Sequence, residues 1–333
     1  MFRKIEEKWR IAQNKEKKLP DTFIERDYKR PTSSCKSWVN SLYMSNEYSN
    51  IIVSYAWMMP SIEYIQHSKE VKIICDTHDV QYIRSSNFLN KYERLSYSSN
   101  LEKFWEKKRL LMADLILAIS ESDKILLNKF LGDEKKVITT SSGFNYALSK
   151  VKKRPKDRPM TFGFIGGSMA ANVLALEFVL SSWWPVIKRE SPDSKFLIAG
   201  SVGRHSTIIE KSLLDENIKI LGFVDNLNEF YHQIEVSLNP VIVQGGLNFK
   251  SVEAVFQGKH LITNDLGAEC LGKDFKCTIA NKDQDLISFL RKFEFNIESD
   301  YVFRLEAQQT GKKLFSNENV MKDFLSLNNP NVN

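Results

Sequence analysis

The chain has 333 residues, of which 42% are hydrophobic and 26% are charged, and its formal net charge is +6. This composition predicts a folded, soluble protein of about two domains, with phosphate-bearing ligands, anionic membrane surfaces and nucleic acids all open as partners. It excludes a membrane-spanning protein, because the sequence has no apolar run of membrane-span length and no signal-peptide core at its start.

The first part of the chain carries short apolar runs that predict strands, and the first 50 residues look helical or irregular. The strands are "NIIVSYAW" (50–57), "VKIICDTHDV" (71–80), "DLILAIS" (114–120) and "KVITTSSG" (136–143). A long helix is predicted over 91–113 and a shorter one over "ESDKILLNKFL". The first glycine is Gly132, whereas most of the 14 glycines follow residue 160, which indicates two domains with different tasks.

The boundary between the domains is predicted at "SKVKKRPKDRP" (149–159), which is basic and contains two prolines. This composition favours an exposed linker. No aromatic residues are interleaved with its charges, so we expect no nucleic-acid partner. The predicted domains are 1–148 and 160–314, and helices in 315–333 are expected to pack back on the first domain.

After the linker, apolar runs alternate regularly with helix-like segments. The predicted strands are "TFGFIGG" (161–167), "KFLIAG" (195–200), "IKILGFV" (218–224), "EVSLNPVIV" (235–243) and "HLITND" (260–265). Strands that are apolar on both faces and alternate with amphipathic helices predict an α/β fold with a doubly wound parallel sheet. In such sheets ligands bind beyond the carboxyl ends of the strands, close to helix N-termini.

Two turns at these strand ends carry candidate anion-binding residues. In "GFIGGSMAAN", Gly166 and Gly167 either let the backbone approach a phosphate or serve only the geometry of the turn. In "AGSVGRHS", Arg204 and His205 either contact an anion or are exposed loop residues.

The segment "GGLNFKSVEA" (245–254) is the most informative part of the sequence, since a Gly-Gly turn at Gly246 leads into a helix. Lys250 suits a diphosphate, aided by the positive helix end. Glu253 can accept hydrogen bonds from vicinal sugar hydroxyls. The alternative is a surface ion pair between these two residues, worth about 0.2–0.5 kcal/mol. We favour function, because the surrounding residues are small and apolar and indicate a buried helix.

Three other sites have a structural and a functional interpretation. His78, at a strand's carboxyl end, is either a structural histidine or a cleft residue that Asp79 orients. "SYAWMMP" (54–60) either contacts an apolar acceptor or packs in the core, and we expect core packing. "KDQDL" (282–286) contains a D-x-D pattern, but we expect Asp283 to cap a helix. The four cysteines lack metal-ligand spacing and indicate reduced thiols in a cytoplasmic protein.

Several of these segments together resemble the retaining, group 1 (family 4-like) glycosyltransferases of the GT-B fold. The matching segments are "CDTHDV", "ADLILAISESDKILL", "FGFIGGSMAANVLAL", "KFLIAG", "IKILGFVDNLNEFY" and "VSLNPVIVQGGLNFKSVEAVFQGKHLITNDLGAE". The similarity covers roughly residues 50–275. The resemblance implies two Rossmann-like domains, the first on the acceptor side and the second binding a nucleotide-sugar donor.

The resemblance also implies roles for individual residues. Glu253 would be the second glutamate of the E-x7-E motif and hold the ribose or sugar, Lys250 would meet the diphosphate, and His78 would lie near the transferred sugar. Gly166, Gly167 and Gly246 would belong to the donor-binding site, where the first two would let the backbone approach the phosphates. No metal and no cofactor are implied, since the nucleotide sugar is a substrate.

The chain departs from the family pattern in two ways. Position 245, where the first glutamate of the motif belongs, is a glycine, and the first 131 residues contain no glycine, so the N-terminal domain looks abbreviated. The resemblance implies transfer of a sugar, with retention, to a glycan or lipid-linked saccharide. The two departures motivate the alternative of an inactive GT-B-like scaffold, and an epimerase on the same fold is a third possibility. Basic residues in 1–30 and in the linker suggest peripheral contact with anionic lipid.

Overall fold

The computed structural model describes residues 31–65, 71–83, 96–132, 136–144, 149–155, 158–243, 246–293 and 296–328. Most of the N-terminal segment that was predicted to be helical or irregular, and the start of the long predicted helix, lie outside these ranges.

The first domain is built on a parallel sheet whose four strands follow one another in the order β1-β2-β3-β4. The strands are β1 (Asn50–Ser54), β2 (Lys72–Asp76), β3 (Leu115–Ala118) and β4 (Lys136–Thr139). The helices are α1 (Ser33–Met44), α2 (Ser96–Leu110) and α3 (Glu121–Leu131), with a 3-10 helix over Ala56–Ile62. Side chains such as Ile73, Ile116 and Leu127 are fully buried between the sheet and these helices.

The second domain has a six-stranded parallel sheet in the order β10-β9-β8-β5-β6-β7. The strands are β5 (Thr161–Ile165), β6 (Lys195–Ala199), β7 (Ile218–Gly222), β8 (Val236–Leu238), β9 (His260–Thr263) and β10 (Thr278–Ile279). The strand order reverses at β5, because β6 lies on one side of it and β8 on the other. A crevice opens at such a switch point, which makes the carboxyl ends of β5 and β8 the expected place for a ligand.

Helices connect the strands of the second sheet and then cross back to the first domain. They are α4 (Ala170–Phe178), α5 (Trp184–Glu190), α6 (Ser206–Ser212), α7 (Leu227–Gln233), α8 (Phe249–Phe256), α9 (Asp265–Glu269), α10 (Asp283–Phe293), α11 (Ile297–Phe315) and α12 (Asn317–Asn328). Helix α11 packs against α8 of the second domain, whereas α12 packs against β4 of the first. Phe324 of α12 packs on the apolar face formed by Ile74, Leu115 and Leu117.

The predicted α/β architecture with two parallel sheets is confirmed. Each predicted strand is present but shorter, since the sequence pattern ran on into the turn that follows. Strand β10 was missed because it has only two residues, too few for a periodic signal. The strands of the two sheets lie on opposite sides of the predicted linker, while the domain boundaries themselves stay predictions.

The linker is exposed over most of its described length, as its composition indicated, but it is held at two points. The exposed residues are Lys150, Lys152, Lys153, Pro155, Arg158 and Pro159. Val151 and Arg154 are buried, and Arg154 donates a hydrogen bond to the carbonyl of Arg158 at 2.7 Å. Arg304 of α11 donates to the carbonyl of Lys152 at 3.0 Å and ties the linker backbone to the second domain.

Helices α4 and α5 are joined by a π-helical turn, Val179–Trp183, into one helical stretch, Ala170–Glu190. By length and composition alone this stretch could span a membrane, whereas no such run was expected from the sequence. Half of its apolar window is buried in the protein. Packing in the core of the second domain accounts for that hydrophobicity.

Candidate active site

A cleft with a cavity of about 330 Å³ lies between the two domains. Its wall is formed by residues that follow the carboxyl ends of six strands, three from each sheet. They include Tyr55 after β1, His78 after β2, Asp123 after β3, Asn172 after β5, Asn239 after β8 and Glu269 after β9. The cleft therefore lies where parallel sheets are expected to bind ligands.

Asn239, immediately after β8, holds the start of helix α8 at the edge of the cleft. Its buried side chain donates hydrogen bonds to Asn248 Oδ1 at 2.9 Å and to Ser251 Oγ at 2.8 Å. The side chain of Asn248 makes no capping bond to the helix. Because Asn248 and Lys250 also line the cavity, the positive end of α8 faces the cleft.

Lys250, in the first turn of α8, places a desolvated cation in the cleft. Burial lowers the pKa of this lysine to about 8. Its Nζ donates to Asn172 Oδ1 at 2.7 Å and lies 4.9 Å from the centre of the Phe164 ring. Both contacts are to uncharged groups, and no carboxylate among the described residues forms an ion pair with it. Within these described ranges the Lys250 cation thus has no ion-pair partner, which favours an anionic ligand beside it.

Asn172 connects Lys250 to the predicted glycine turn. Its Nδ2 donates to the carbonyl of Gly167 at 3.0 Å, while its Oδ1 accepts from Lys250. Gly166 packs directly against the Asn172 side chain. Gly166 and Gly167 thus lie behind Asn172 and are not among the residues that line the cavity, so their role in phosphate binding stays a prediction.

Glu253 lies one turn further along α8 and has a different environment from Lys250. Its Oε2 accepts a hydrogen bond from the Tyr231 hydroxyl at 3.1 Å. Burial raises the pKa of this carboxyl, and the Tyr231 bond opposes that rise. Lys250 and Glu253 contact different partners, so the alternative of a surface ion pair between them does not describe this structure. Glu253 is half-buried and does not line the cavity, and its predicted contact with a sugar stays a prediction.

Arg204 lies outside the cleft. The residue is exposed in the short 3-10 helix Ser201–Arg204, and His205 beside it is exposed too. His205 Nδ1 lies 2.9 Å from Thr207 Oγ1. The structure gives these two residues the surroundings of loop residues, and an anion contact by Arg204 stays a prediction.

On the opposite wall, His78 is held by its neighbours from the first sheet. Its Nε2 lies 3.1 Å from Asp76 Oδ2, and its ring stacks on that of Tyr55 with 4.3 Å between centroids. The structure therefore corrects the expectation that Asp79 orients the imidazole, since the carboxylate in contact is that of Asp76. Asp79 itself is buried and lines the cavity.

Both ring-bearing residues have unusual backbone conformations. Tyr55 has φ 70° and His78 has φ 56°, and among the described residues they alone combine a side chain with positive φ. Asp79 N donates to Thr77 O at 2.6 Å and closes a tight turn around His78. Such conformations cost on the order of 1–3 kcal/mol each for residues other than glycine. Strain of this kind is typical of functional sites.

Carboxylates also line the first-domain side of the cavity. The pKa of Asp123 is raised to about 6, chiefly by burial and also by the nearby charges of Asp79 and Glu269, while the hydrogen bond from the Ser120 hydroxyl opposes the rise. This wall offers hydrogen-bond acceptors opposite the cation of Lys250.

Gly246 brings the two domains into direct contact at the edge of the cavity. Its φ is +69°, and a Cβ atom at this position would lie only 2.8 Å from the carbonyl oxygen of His78. The turn before α8 can approach the His78 turn this closely only because residue 246 has no side chain. Gly246, Lys250 and His78 are thus predicted site residues that the structure does bring together.

Gly246→Ala is expected to lower the free energy of unfolding by about 1–2 kcal/mol and to separate the two walls of the cleft. Thermal unfolding measures the first effect, and hydrogen exchange of the backbone amides that line the cleft measures the second. Gly222→Ala is the matched control, since Gly222 has φ +72° but no atom within 4 Å of its added Cβ. Equal exchange at the cleft in both variants would contradict a role for the contact between Gly246 and His78.

The remaining candidates have structural roles. Met59 of "SYAWMMP" is fully buried in the first core, as expected. In "KDQDL" the capping residue is Asp285, which accepts from the backbone N–H groups of Asn281 and Lys282 at 2.9 Å, in place of Asp283. The described ranges contain no group of three or more His, Cys, Asp or Glu arranged to hold a metal ion. All four cysteines are free.

Sequence reasoning missed Tyr55, Asp76, Asn172, Asp123 and Glu269. Tyr55 and Asp76 end neighbouring parallel strands, and the rule that ligands bind at strand ends could have identified both. Asn172, Asp123 and Glu269 lie on helices that follow strand ends, and only the packed domains show that they face the same cavity.

Comparison with known proteins agrees with this architecture. Residues 159–292 match the sequence model of the family described as Glycosyl transferases group 1. An uncharacterized 42.6 kDa protein in the cps region of Klebsiella pneumoniae is 26% identical over 133 residues, which are 40% of this chain and 33% of that protein.

Solved structures with the same fold cover most of the chain. TarM of S. aureus, solved as a point mutant with fondaparinux, alpha-GlcNAc-glycerol and UDP, superposes with a TM-score of 0.64 at 14% identity, over 89% of this chain and 58% of TarM. Anabaena HepE in complex with UDP and glucose superposes with a TM-score of 0.65 at 14% identity, over 88% of this chain and 80% of HepE. Sucrose-phosphate synthase from Thermosynechococcus elongatus superposes with a TM-score of 0.66 at 14% identity, over 89% of this chain and 76% of the synthase.

This chain spans a third of the curated relative and little more than half of TarM. Identities this low establish the fold only, and the sequence match is confined to the second domain. Residues 159–292 of this chain are therefore similar to the Glycosyl transferases group 1 model, within a chain that has the two-domain GT-B fold.

Proposed function

We propose that this protein is a glycosyltransferase that moves a sugar from a nucleoside diphosphate sugar, bound by the second domain, to an acceptor on the first-domain side of the cleft. The proposal includes retention of anomeric configuration and a glycan or lipid-linked saccharide as acceptor. It also places the reaction in the cytoplasm, with the option of peripheral contact with anionic lipid.

The observation that carries the proposal is the state of Lys250. A cation with its pKa lowered by burial faces a cleft beside an open helix end, and its partners are an amide and an aromatic ring. A diphosphate supplies the missing negative charge, since phosphates bind readily at helix N-termini. UDP is present in the TarM and HepE structures, which makes UDP sugars the first donors to examine.

In the proposed reaction the leaving group is stabilised by the protein itself. Lys250 and the amino end of α8 offset the charge that develops on the departing diphosphate, so the proposal needs no metal ion. His78 and the carboxylates of Asp79 and Asp123 lie on the opposite wall, where they can bind hydroxyl groups of the sugars. Holding donor and acceptor together in this way lowers the entropic barrier to transfer.

A thermal-shift measurement with UDP, GDP and their sugars tests the donor assignment. A ligand at about 100 times its Kd adds ~2.7 kcal/mol to the free energy of unfolding, which raises Tm by several degrees. We expect such a rise with a nucleotide diphosphate or its sugar, and a much smaller one with inorganic phosphate. If no nucleotide raised Tm, the proposed function would be wrong.

A second candidate is an inactive GT-B-like protein that binds a ligand or a partner without transfer. Two observations favour it: position 245 is a glycine, and Glu253 does not line the cavity. Release of free nucleotide separates the candidates. A transferase releases nucleotide faster when an acceptor saccharide is added, whereas the inactive protein binds the nucleotide sugar and leaves it intact.

A further inference from the structure

Tyr55 and His78 carry aromatic rings on backbone that suits glycine. Tyr55 has φ 70° and ψ 134°, and follows β1; His78 has φ 56° and lies two residues after the end of β2. These strands are neighbours, and Tyr55 N donates to the carbonyl of Asp76 at 2.7 Å. A glycine at either position would relieve the strain. The presence of an aromatic residue at both positions therefore indicates a function that depends on the ring.

The two rings form one unit at the wall of the cleft. They stack with 4.3 Å between centroids and 17° between planes, and both line the cavity. The Asp76 carboxylate contacts Nε2 of His78 and accepts a hydrogen bond from the His78 backbone. One face and one edge of the imidazole are thus fixed, and Nδ1 is the ring nitrogen that a ligand can use.

We propose that Tyr55 is a positioning residue of the transfer reaction, which holds the His78 imidazole at the acceptor side of the cleft at the expense of backbone strain. The inference rests on the proposed function, since His78 needs a fixed orientation only if a sugar is transferred past it. A purely structural role for Tyr55 makes a different prediction: loss of the ring would lower stability and leave turnover per folded molecule unchanged.

Three substitutions of Tyr55 separate the effect of the aromatic ring from the effect of the backbone strain. Tyr55→Gly and Tyr55→Ala both remove the ring, but only glycine relieves the backbone, so we expect a higher Tm for Tyr55→Gly than for Tyr55→Ala. Both are expected to lower kcat at least tenfold for release of UDP from UDP-glucose, with the donor KM within about twofold of wild type. Tyr55→Phe keeps the stacked ring and is expected to retain kcat within about threefold.

The carbon-bound protons of the His78 ring provide a readout that needs no substrate. Stacking on Tyr55 shifts the NMR signals of these protons. The signals are assigned to His78 by their absence from the spectrum of His78→Asn. We expect the shift to persist in Tyr55→Phe and to disappear in Tyr55→Gly. Tyr64→Ala is the control, because Tyr64 is 45% exposed and outside the cleft, and it is expected to change neither kcat nor the His78 signals.

The outcomes distinguish this inference from the proposed function. If wild type releases UDP and Tyr55→Gly has the same kcat, Tyr55 is not a positioning residue and the proposed function stands. An unchanged His78 spectrum in Tyr55→Gly would overturn the inference as well. If wild type neither binds nor cleaves any UDP or GDP sugar, the proposed function fails, and this inference fails with it.

Discussion

Lys250→Met is expected to weaken the binding of a nucleoside diphosphate sugar by about 30- to 1,000-fold, since truncation of one member of a buried charge pair costs roughly 2–4 kcal/mol. The free protein should not lose stability at pH 7. Burial lowers the pKa of Lys250 to about 8, so the folded state holds this charge at a free-energy cost that methionine removes. Titration calorimetry and thermal unfolding measure the two effects.

The pH dependence of binding gives this prediction a second test. The lysine is charged below pH 8 in the free protein, and a bound diphosphate stabilises that charged form. Affinity is therefore expected to fall by about tenfold between pH 7 and 9 in wild type and to stay flat over this window in Lys250→Met. In the same pH window, residue 250 binds more protons in the unfolded chain than in the folded chain. The contribution of Lys250 to the free energy of unfolding therefore rises with pH.

Lys219→Met is the matched control for both measurements. Lys219 is an exposed lysine of β7 in the same domain, away from the cleft. We expect its substitution to leave affinity, Tm and the pH profile unchanged. Equal affinity of Lys250→Met and Lys219→Met for every nucleotide would show that Lys250 does not bind the diphosphate.

The fold could be predicted from local patterns because the strands of a parallel sheet are buried on both faces. Residues 196–199 of "KFLIAG" are all apolar and form most of β6, with Phe196 and Ile198 buried in one cluster and Leu197 and Ala199 in another. A helix was predicted directly after the Gly-Gly turn at Gly246, and α8 begins at Phe249. Strand β10 could not be found, because two residues that pair with β9 carry no periodic pattern.

The candidate site was predictable only in part, because a sequence shows which residue types follow a strand but not which way they point. Lys250 was identified from its place after a Gly-Gly turn, and it lines the cleft. Glu253 is three residues away, yet it turns to Tyr231. The carboxylate that contacts the His78 imidazole belongs to Asp76 and not to Asp79, because the tight turn at His78 directs the ring back toward the end of β2.

Arg304→Met is expected to destabilise the protein by about 3–5 kcal/mol. Arg304 is buried and donates to Asp300 Oδ2 at 2.8 Å, to the carbonyl of Gly258 at 2.9 Å and to that of Lys152 at 3.0 Å. Loss of the guanidinium leaves a buried carboxylate without its cation and releases the linker. Urea unfolding at pH 7.5 measures the change.

Two further variants distinguish the effect on stability of breaking the buried ion pair from the effect of losing a cation. Lys276→Met breaks an ion pair with Glu306 on the surface, where both side chains are about half exposed, and is expected to cost less than ~1 kcal/mol. Asp300→Asn combined with Arg304→Met removes both buried charges and should be more stable than Arg304→Met alone. If the double variant were less stable, charge burial would not explain the effect.

The pH dependence of Arg304→Met follows from His260, whose Nδ1 lies 3.0 Å from Asp300 Oδ1. In wild type, burial lowers the pKa of this histidine, its bond to Asp300 opposes that shift, and Arg304 and Lys292 add to it. A lowered folded pKa means that wild type loses stability as pH falls below 6.5, because the unfolded chain then binds the extra proton. Without Arg304, a proton on His260 can compensate Asp300, so the stability deficit of the variant should be smaller at pH 5.5 than at pH 8. A deficit that did not change with pH would show that His260 stays neutral beside an unpaired Asp300.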